Sequence, residues 1–303
     1  MKKIVFLCSL LLAGLTTNYV FAQSYVFRVL ANKGSNLVKV VSVSQDWQPV
    51  KTGAKLKKED ELMLSENAYM GLVSSTGKTI ELKQAGDYKV ADLASKLNTQ
   101  SAGIAGKYVD FVFNQITQQE EVDFNKNPQN HTKSAGSVER GISFIDILGP
   151  VSMNVFNPVA TIRWSPVQNA TLYTVVVKNI FENTILTKKT ASTELLLDLN
   201  DAALKNEKLV IVTISTNGGK VFSDHIGIKR LSLQEQAIIR NQLDKLSSET
   251  NDETALSQLI QAAFFEDNGL VLDALMYYEN ALKIAPDVDD FKIAYQKFLE
   301  RNQ

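Results

Sequence analysis

Carboxylates are the chemically capable side chains that cluster in this sequence, at Glu59-Asp60-Glu61, Asp252-Glu253 and Asp289-Asp290. A pair of acids flanking a glycosidic bond can hydrolyse it. These acids, however, fall at predicted turns and helix starts, where negative charge favours the helix dipole, so a structural role is expected for them. Asp287, Asp289 and Asp290 are close enough in sequence to chelate calcium. No glycine at the required spacing and no bidentate glutamate completes an EF-hand loop. The two histidines, His131 and His225, are too far apart to imply a pair. HExxH, GxSxG, P-loop and GxGxxG motifs are missing from any suitable context. The single cysteine, Cys8, lies in the N-terminal apolar run. The mature chain therefore has no thiol nucleophile, disulfide or cysteine metal site. The expectation is a protein that is not an enzyme, with no catalytic, cofactor or metal residues.

Aromatic side chains offer binding rather than bond chemistry. Phe264, Phe265, Tyr277, Tyr278, Phe291, Tyr295 and Phe298 gather near the carboxyl end. At helical spacing most must be core. One or two left exposed in a groove would anchor a peptide. The candidate protein-binding residues are Phe264, Tyr277 and Tyr295, with Tyr277 foremost.

Those aromatics need helices to hold them. In Ala255–Val288, the positions of Ala262, Phe265, Gly269, Ala274, Tyr278, Ala281 and Pro286 resemble one 34-residue tetratricopeptide repeat. Small alanines let two antiparallel helices approach, Gly269 opens the turn, and Pro286 ends the second helix. The resemblance implies a concave protein-binding surface. Ser232 with Glu235 forms a capping box that starts an earlier helix. Asp287–Asn302 makes a final helix with Phe291, Tyr295, Phe298 and Leu299 inward. These flanking helices are expected to cap the repeat.

Two β-units precede the helices. Residues 24–97 read as short strands with turns at Ser75-Thr76-Gly77 and Gln84–Asp87, then a short helix near Val90–Leu97. A small barrel or sandwich follows from strands without intervening helices. Trp47-Gln48-Pro49-Val50-Lys51-Thr52-Gly53-Ala54-Lys55-Leu56, with Asp60-Glu61-Leu62 and Gly77–Leu82, resembles the FecR-like β-domain of bacterial envelope proteins, and only the fold carries over. Gly103–Gln119 is expected to be a helix packed on this domain, or alternatively a partner-binding helix. Glu120–Arg140 reads as a polar linker. Across residues 147–230, Arg163-Trp164-x-Pro166-Val167-x-Asn169-Ala170-x-x-Tyr173 resembles a fibronectin type III sandwich, with Trp164 filling the core.

Met1–Ala22 reads as a signal peptide, with Lys2 and Lys3, an apolar run Ile4–Leu15, and Val20-Phe21-Ala22 before Gln23. The run is too short to span a bilayer of roughly 30 Å. No nucleic-acid partner is expected, since 30 basic and 33 acidic side chains remain without Lys2 and Lys3. Charge is uneven. Ser232–Gln303 carries 6 basic and 13 acidic residues, whereas Ser24–Leu97 carries 11 basic and 8 acidic. The acidic end suits either a basic partner or a solvated helical surface.

The expected fold class is multidomain, β + β + α. It comprises a signal peptide (1–22), a FecR-like β-domain with packing helix (23–120), a linker (121–145), a fibronectin III-like sandwich (146–230) and tetratricopeptide-like helical hairpins (231–303). The expected function is a non-enzymatic, exported adaptor or scaffold in the periplasm or envelope of a Gram-negative bacterium. It would bind an envelope protein and have no integral membrane segment. A cell-wall glycan ligand is the alternative.

Overall fold

A computed structural model describes residues 25–97, 103–117, 144–250 and 253–302. The expected signal peptide, His131, Asp252 and nearly all of the expected linker lie outside the described residues. The architecture is a β plus α multidomain one: two β-regions come first, and four consecutive helices end the chain.

The first β-region holds two four-stranded antiparallel sheets. One has the order β4 (Lys55–Leu56), β1 (Phe27–Lys33), β6 (Tyr69–Ser74), β7 (Thr79–Leu82). The other runs β3 (Trp47–Pro49), β2 (Leu37–Lys39), β5 (Glu61–Leu64), β8 (Gly86–Lys89). Phe27, Val29, Met70 and Leu72 meet Val38, Leu62 and Leu64 in a core between them. The expected hairpin forms at Gly77, whose φ of +89° suits glycine. A short helix, α1 (Val90–Ser95), follows β8.

Strand β6 does not alternate: Tyr69 through Val73 are all buried. An unbroken apolar run signals a strand covered on both faces. Its second face, with Leu30, Ala31, Tyr69 and Val73, joins the core of the helices. A register shift between Val29 and Ala31 of β1 coincides with Leu30 and Ala31 both entering that core. Gly71 lets Leu256 approach, since a Cβ there would lie 3.3 Å from its side chain.

The middle region holds a five-stranded sheet, order β12 (Thr184–Thr190), β11 (Tyr173–Lys178), β14 (Leu209–Thr216), β15 (Ile226–Arg230), β9 (Ser152–Val155), with β9 parallel to β15. A two-stranded sheet, β10 (Val159–Arg163) with β13 (Glu194–Asp198), faces it across a shared core. Strand β14 alternates cleanly, with Val210, Val212 and Ile214 inward. Trp164 is 2 % exposed and meets Tyr173 edge to face at 5.5 Å. After the turn at Asn217–Gly219, Ser223 and Phe222 make only isolated bridges, and β14 pairs regularly with β11 on one side and β15 on the other. Strand β12 is polar and half exposed, which hid it from pattern reading.

The helices are α2 (Ala105–Thr117), between the β-regions in sequence, then α3 (Leu233–Glu249), α4 (Ala255–Asp267), α5 (Val271–Ile284) and α6 (Asp289–Arg301). The capping box at Ser232 and Glu235 forms as expected. Helices α4 and α5 pack through buried Ala262, Ala263, Ala274 and Ala281, and turn at Gly269 with φ +69°. The Tyr278 hydroxyl donates to Glu266 at 2.9 Å. Among the described residues no helix is long and apolar enough to cross a membrane.

Candidate functional site

The expected partner surface lay on the repeat pair, α4 and α5; in the structure the chain's own α2 lies across α4 and the flanking α6. Tyr108 of α2 meets Phe264 of α4 edge to face at 5.5 Å. Buried Ala105, Val109, Val112 and Ile116 share the same core as α4 and α6. Lys107 pairs with Asp267 at 2.6 Å, and the Arg301 guanidinium reaches Phe111 and Gln115. Glu249 at the end of α3 accepts the Ile104 and Ala105 N–H groups at 3.1 and 2.8 Å, so its carboxylate caps the start of α2. On its other side α2 lies against Gly53 and Gly77, where a Cβ would come 2.8 Å from Phe113 and 2.6 Å from Ala105. Arg28 of β1 pairs with Asp110 at 2.9 Å. Helix α2 thus lies between the first β-region and the helices, in contact with both.

The anchor expectation is corrected accordingly. Phe264 is 0 % exposed and presents nothing to a partner. Tyr277 is half-buried and stacked on Phe265, centroids 4.9 Å apart at 25°. The Tyr295 hydroxyl donates to Glu279 at 3.2 Å, and burial beside that carboxylate pushes its pKa up to about 12. The structure thus does not gather the three residues as a docking site. One signal in the sequence pointed this way. Helix α4 buries ten of its 13 residues, and its apolar side chains run right round it. A helix that is apolar on every side belongs inside.

The acids also hold the modules together. Asp290 accepts the Asn32 N–H at 2.8 Å and the Thr52 hydroxyl at 3.0 Å, joining α6 to the first β-region. Asp273 accepts the N–H groups of Phe156 and Asn157 at 2.9 and 2.8 Å and the Asn157 amide at 2.7 Å, joining α5 to the middle sheets. Arg163 of β10 bridges Glu194 and Glu279. Asp287 faces Lys33 at 3.4 Å. Basic residues of this same chain thus meet part of the acidic C-terminal surface. Asp289 pairs with Lys292, Asp60 accepts the Lys57 N–H, and His225 bonds Thr213. Among the described residues no group of three or more His, Cys, Asp or Glu is placed to hold a metal.

Burial raises the pKa values of Asp290, Asp273 and Glu279, outweighing the donors and charges that lower them. A raised native pKa means the folded state binds the proton more tightly. The stability from each group is complete below its ordinary value, about 3.9 for aspartate, and is lost as pH rises through the raised one. In urea unfolding of the full chain these three groups should therefore contribute a decline in stability upward from that value, opposed by Glu235, whose pKa the Ser232 bonds lower. Asp290→Asn keeps an acceptor for Asn32 and should flatten the decline. An unchanged slope in the variant would reject the assignment.

A second feature lies where the middle sheets meet α3. A cleft of about 230 Å³ is lined by Val155, Phe156, Asn157, Pro158, Leu199, Asn200, Arg230, Gln236 and Arg240. Arg230 donates through Nε to the Glu207 carbonyl at 3.1 Å and through Nη2 to the Leu199 and Leu204 carbonyls. Arg240 lies over the Phe156 ring at 5.2 Å. Burial pulls the Arg230 pKa down, yet an arginine remains cationic. No spacing signal in the sequence links these two arginines, because one ends a strand and the other sits on a helix. No family model matches the chain, and no curated protein matches it.

Proposed function

We propose that this chain is a non-enzymatic, exported envelope scaffold that presents two β-modules, FecR-like and fibronectin III-like, in a fixed relation to a protein partner. The tetratricopeptide-like helices act within the molecule as the piece that joins them. The observation that carries this reading is α2 lying across α4 and α6, with Asp290 and Asp273 reaching into the two β-regions. A repeat whose concave face is filled by its own chain leaves partner binding to the outer surfaces of the β-modules.

On those surfaces the β11–β12 connection stands out. Ile180 and Phe181 at its tip are 56 % and 75 % exposed. The turn is held by the Asn179 side chain, which accepts the Phe181 and Asn183 N–H groups at 3.0 Å. A large apolar side chain on a braced turn suits a pocket on another protein. Cross-linking in the native envelope, followed by identification of what is captured, tests the reading. Replacing Ile180 and Phe181 by serine should remove the protein cross-link without altering the fold. A cross-link that survives the double replacement would reject this tip as the docking point. Recovery of cell-wall glycan and no protein would replace the scaffold reading with the ligand-binding one.

A further inference from the structure

We propose that the cleft between the middle sheets and α3 binds a small organic anion, a carboxylate or phosphate compound, held between Arg230 and Arg240. The geometry supplies both the charge and the room. Its volume of about 230 Å³ is far above the ~10–15 Å³ that a single water needs. Neither guanidinium has a carboxylate in an ion pair among the described residues. Asp198 acts on Arg230 only as a nearby charge.

Arg230 is already oriented. Three backbone carbonyls hold its Nε and Nη2 hydrogens, and Nη1 has no hydrogen-bond partner among the described residues. A fork fixed in advance loses little rotamer entropy on binding. Arg240 rests on Phe156 and brings a second charge to the cleft lining from α3. Asn200 and Gln236 add amide groups to the lining, while Phe156, Pro158 and Leu199 supply apolar wall. Guanidinium groups recognise carboxylate and phosphate oxygens through charge-assisted bonds.

The position gives the anion a structural consequence. Arg230 ends β15, and Arg240 lies on α3. Helix α3 buries only Ile239 and Leu246 of its 17 residues, so its first half is held mainly by the capping box and the Gln236 bond to the Leu231 carbonyl. An anion shared by the two arginines ties α3 to the middle sheets.

The test uses the full mature chain with inorganic phosphate in one arm and succinate in the other. Affinity is read by calorimetry, and hydrogen exchange is followed over residues 233–249. Binding in either arm, with slower exchange of α3, is the expected result, and the arm that binds tells phosphate from carboxylate. Arg240→Gln should weaken binding about tenfold, equivalent to about 1.4 kcal/mol. Asn200→Asp places a negative charge at the cleft and should weaken it similarly. Both side chains are exposed, so the fold should survive either change. No binding in either arm overturns the proposal. So does equal binding by wild type and Arg240→Gln, which would show a general salt effect.

Discussion

Phe264→Ala should lower the unfolding free energy of the full chain by about 3–5 kcal/mol, the usual cost of emptying a buried phenylalanine site. The side chain is fully buried, with Tyr108 at 5.5 Å and Phe265 at 5.1 Å, both edge to face. Its neighbours belong to elements held by many other contacts, so the hole will not collapse cheaply. Phe181→Ala is the matched control, because an exposed ring away from any special contact should change stability by no more than about 0.5 kcal/mol. Urea unfolding measures both. A double-mutant cycle between Phe264 and Tyr108 adds a direct reading of α2 on α4, with an expected coupling of about 0.5–1.5 kcal/mol. Loss of less than about 1 kcal/mol from Phe264→Ala would mean that α4 presents this ring to solvent. The groove would then be open after all.

Gly77→Ala should cost about 3 kcal/mol, from two sources. The backbone φ of +89° disfavours any side chain. A Cβ at this position would also lie 2.6 Å from the Ala105 Cβ and 3.0 Å from the Gly106 nitrogen. Backbone of α2 cannot swing aside as a side-chain end can, so the helix must move off the hairpin. Gly218 separates the two sources. Its φ is +87°, yet a Cβ there meets nothing within 4 Å. Gly218→Ala should therefore cost only the conformational part, about 1 kcal/mol. Equal losses in the two variants would show that α2 does not press on the hairpin. Extra hydrogen exchange along 105–117 in Gly77→Ala alone would locate the damage in the helix.

Local rules in this chain were readable because they rest on near neighbours. Ser232 and Glu235 form their capping box within one helical turn, and Gly269 turns the chain between α4 and α5. Trp164 lies in a core with Tyr173, the place that the fibronectin III resemblance implied for the tryptophan. The run from Tyr69 to Val73 and the all-round apolar α4 carried a further message, that both elements are covered on more than one side. Neither pattern names the cover. Periodicity records how much of an element is buried, and it is silent about which segment buries it.

The sequence by itself determined the β, β, α order, the caps and turns, and the excess of acid over residues 232–303. Only the tertiary structure decided where those features point. It put α2, from the first half, onto α4 and α6, which turned the expected anchor Phe264 into core. It directed Asp290 and Asp273 to backbone N–H groups 258 and 117 residues away. It placed Arg230 and Arg240 in the lining of one cleft. The physical reason is the same in each case. Apolar burial is non-directional and satisfied by any matching surface, so the partner of a face is chosen by the packing of the whole chain.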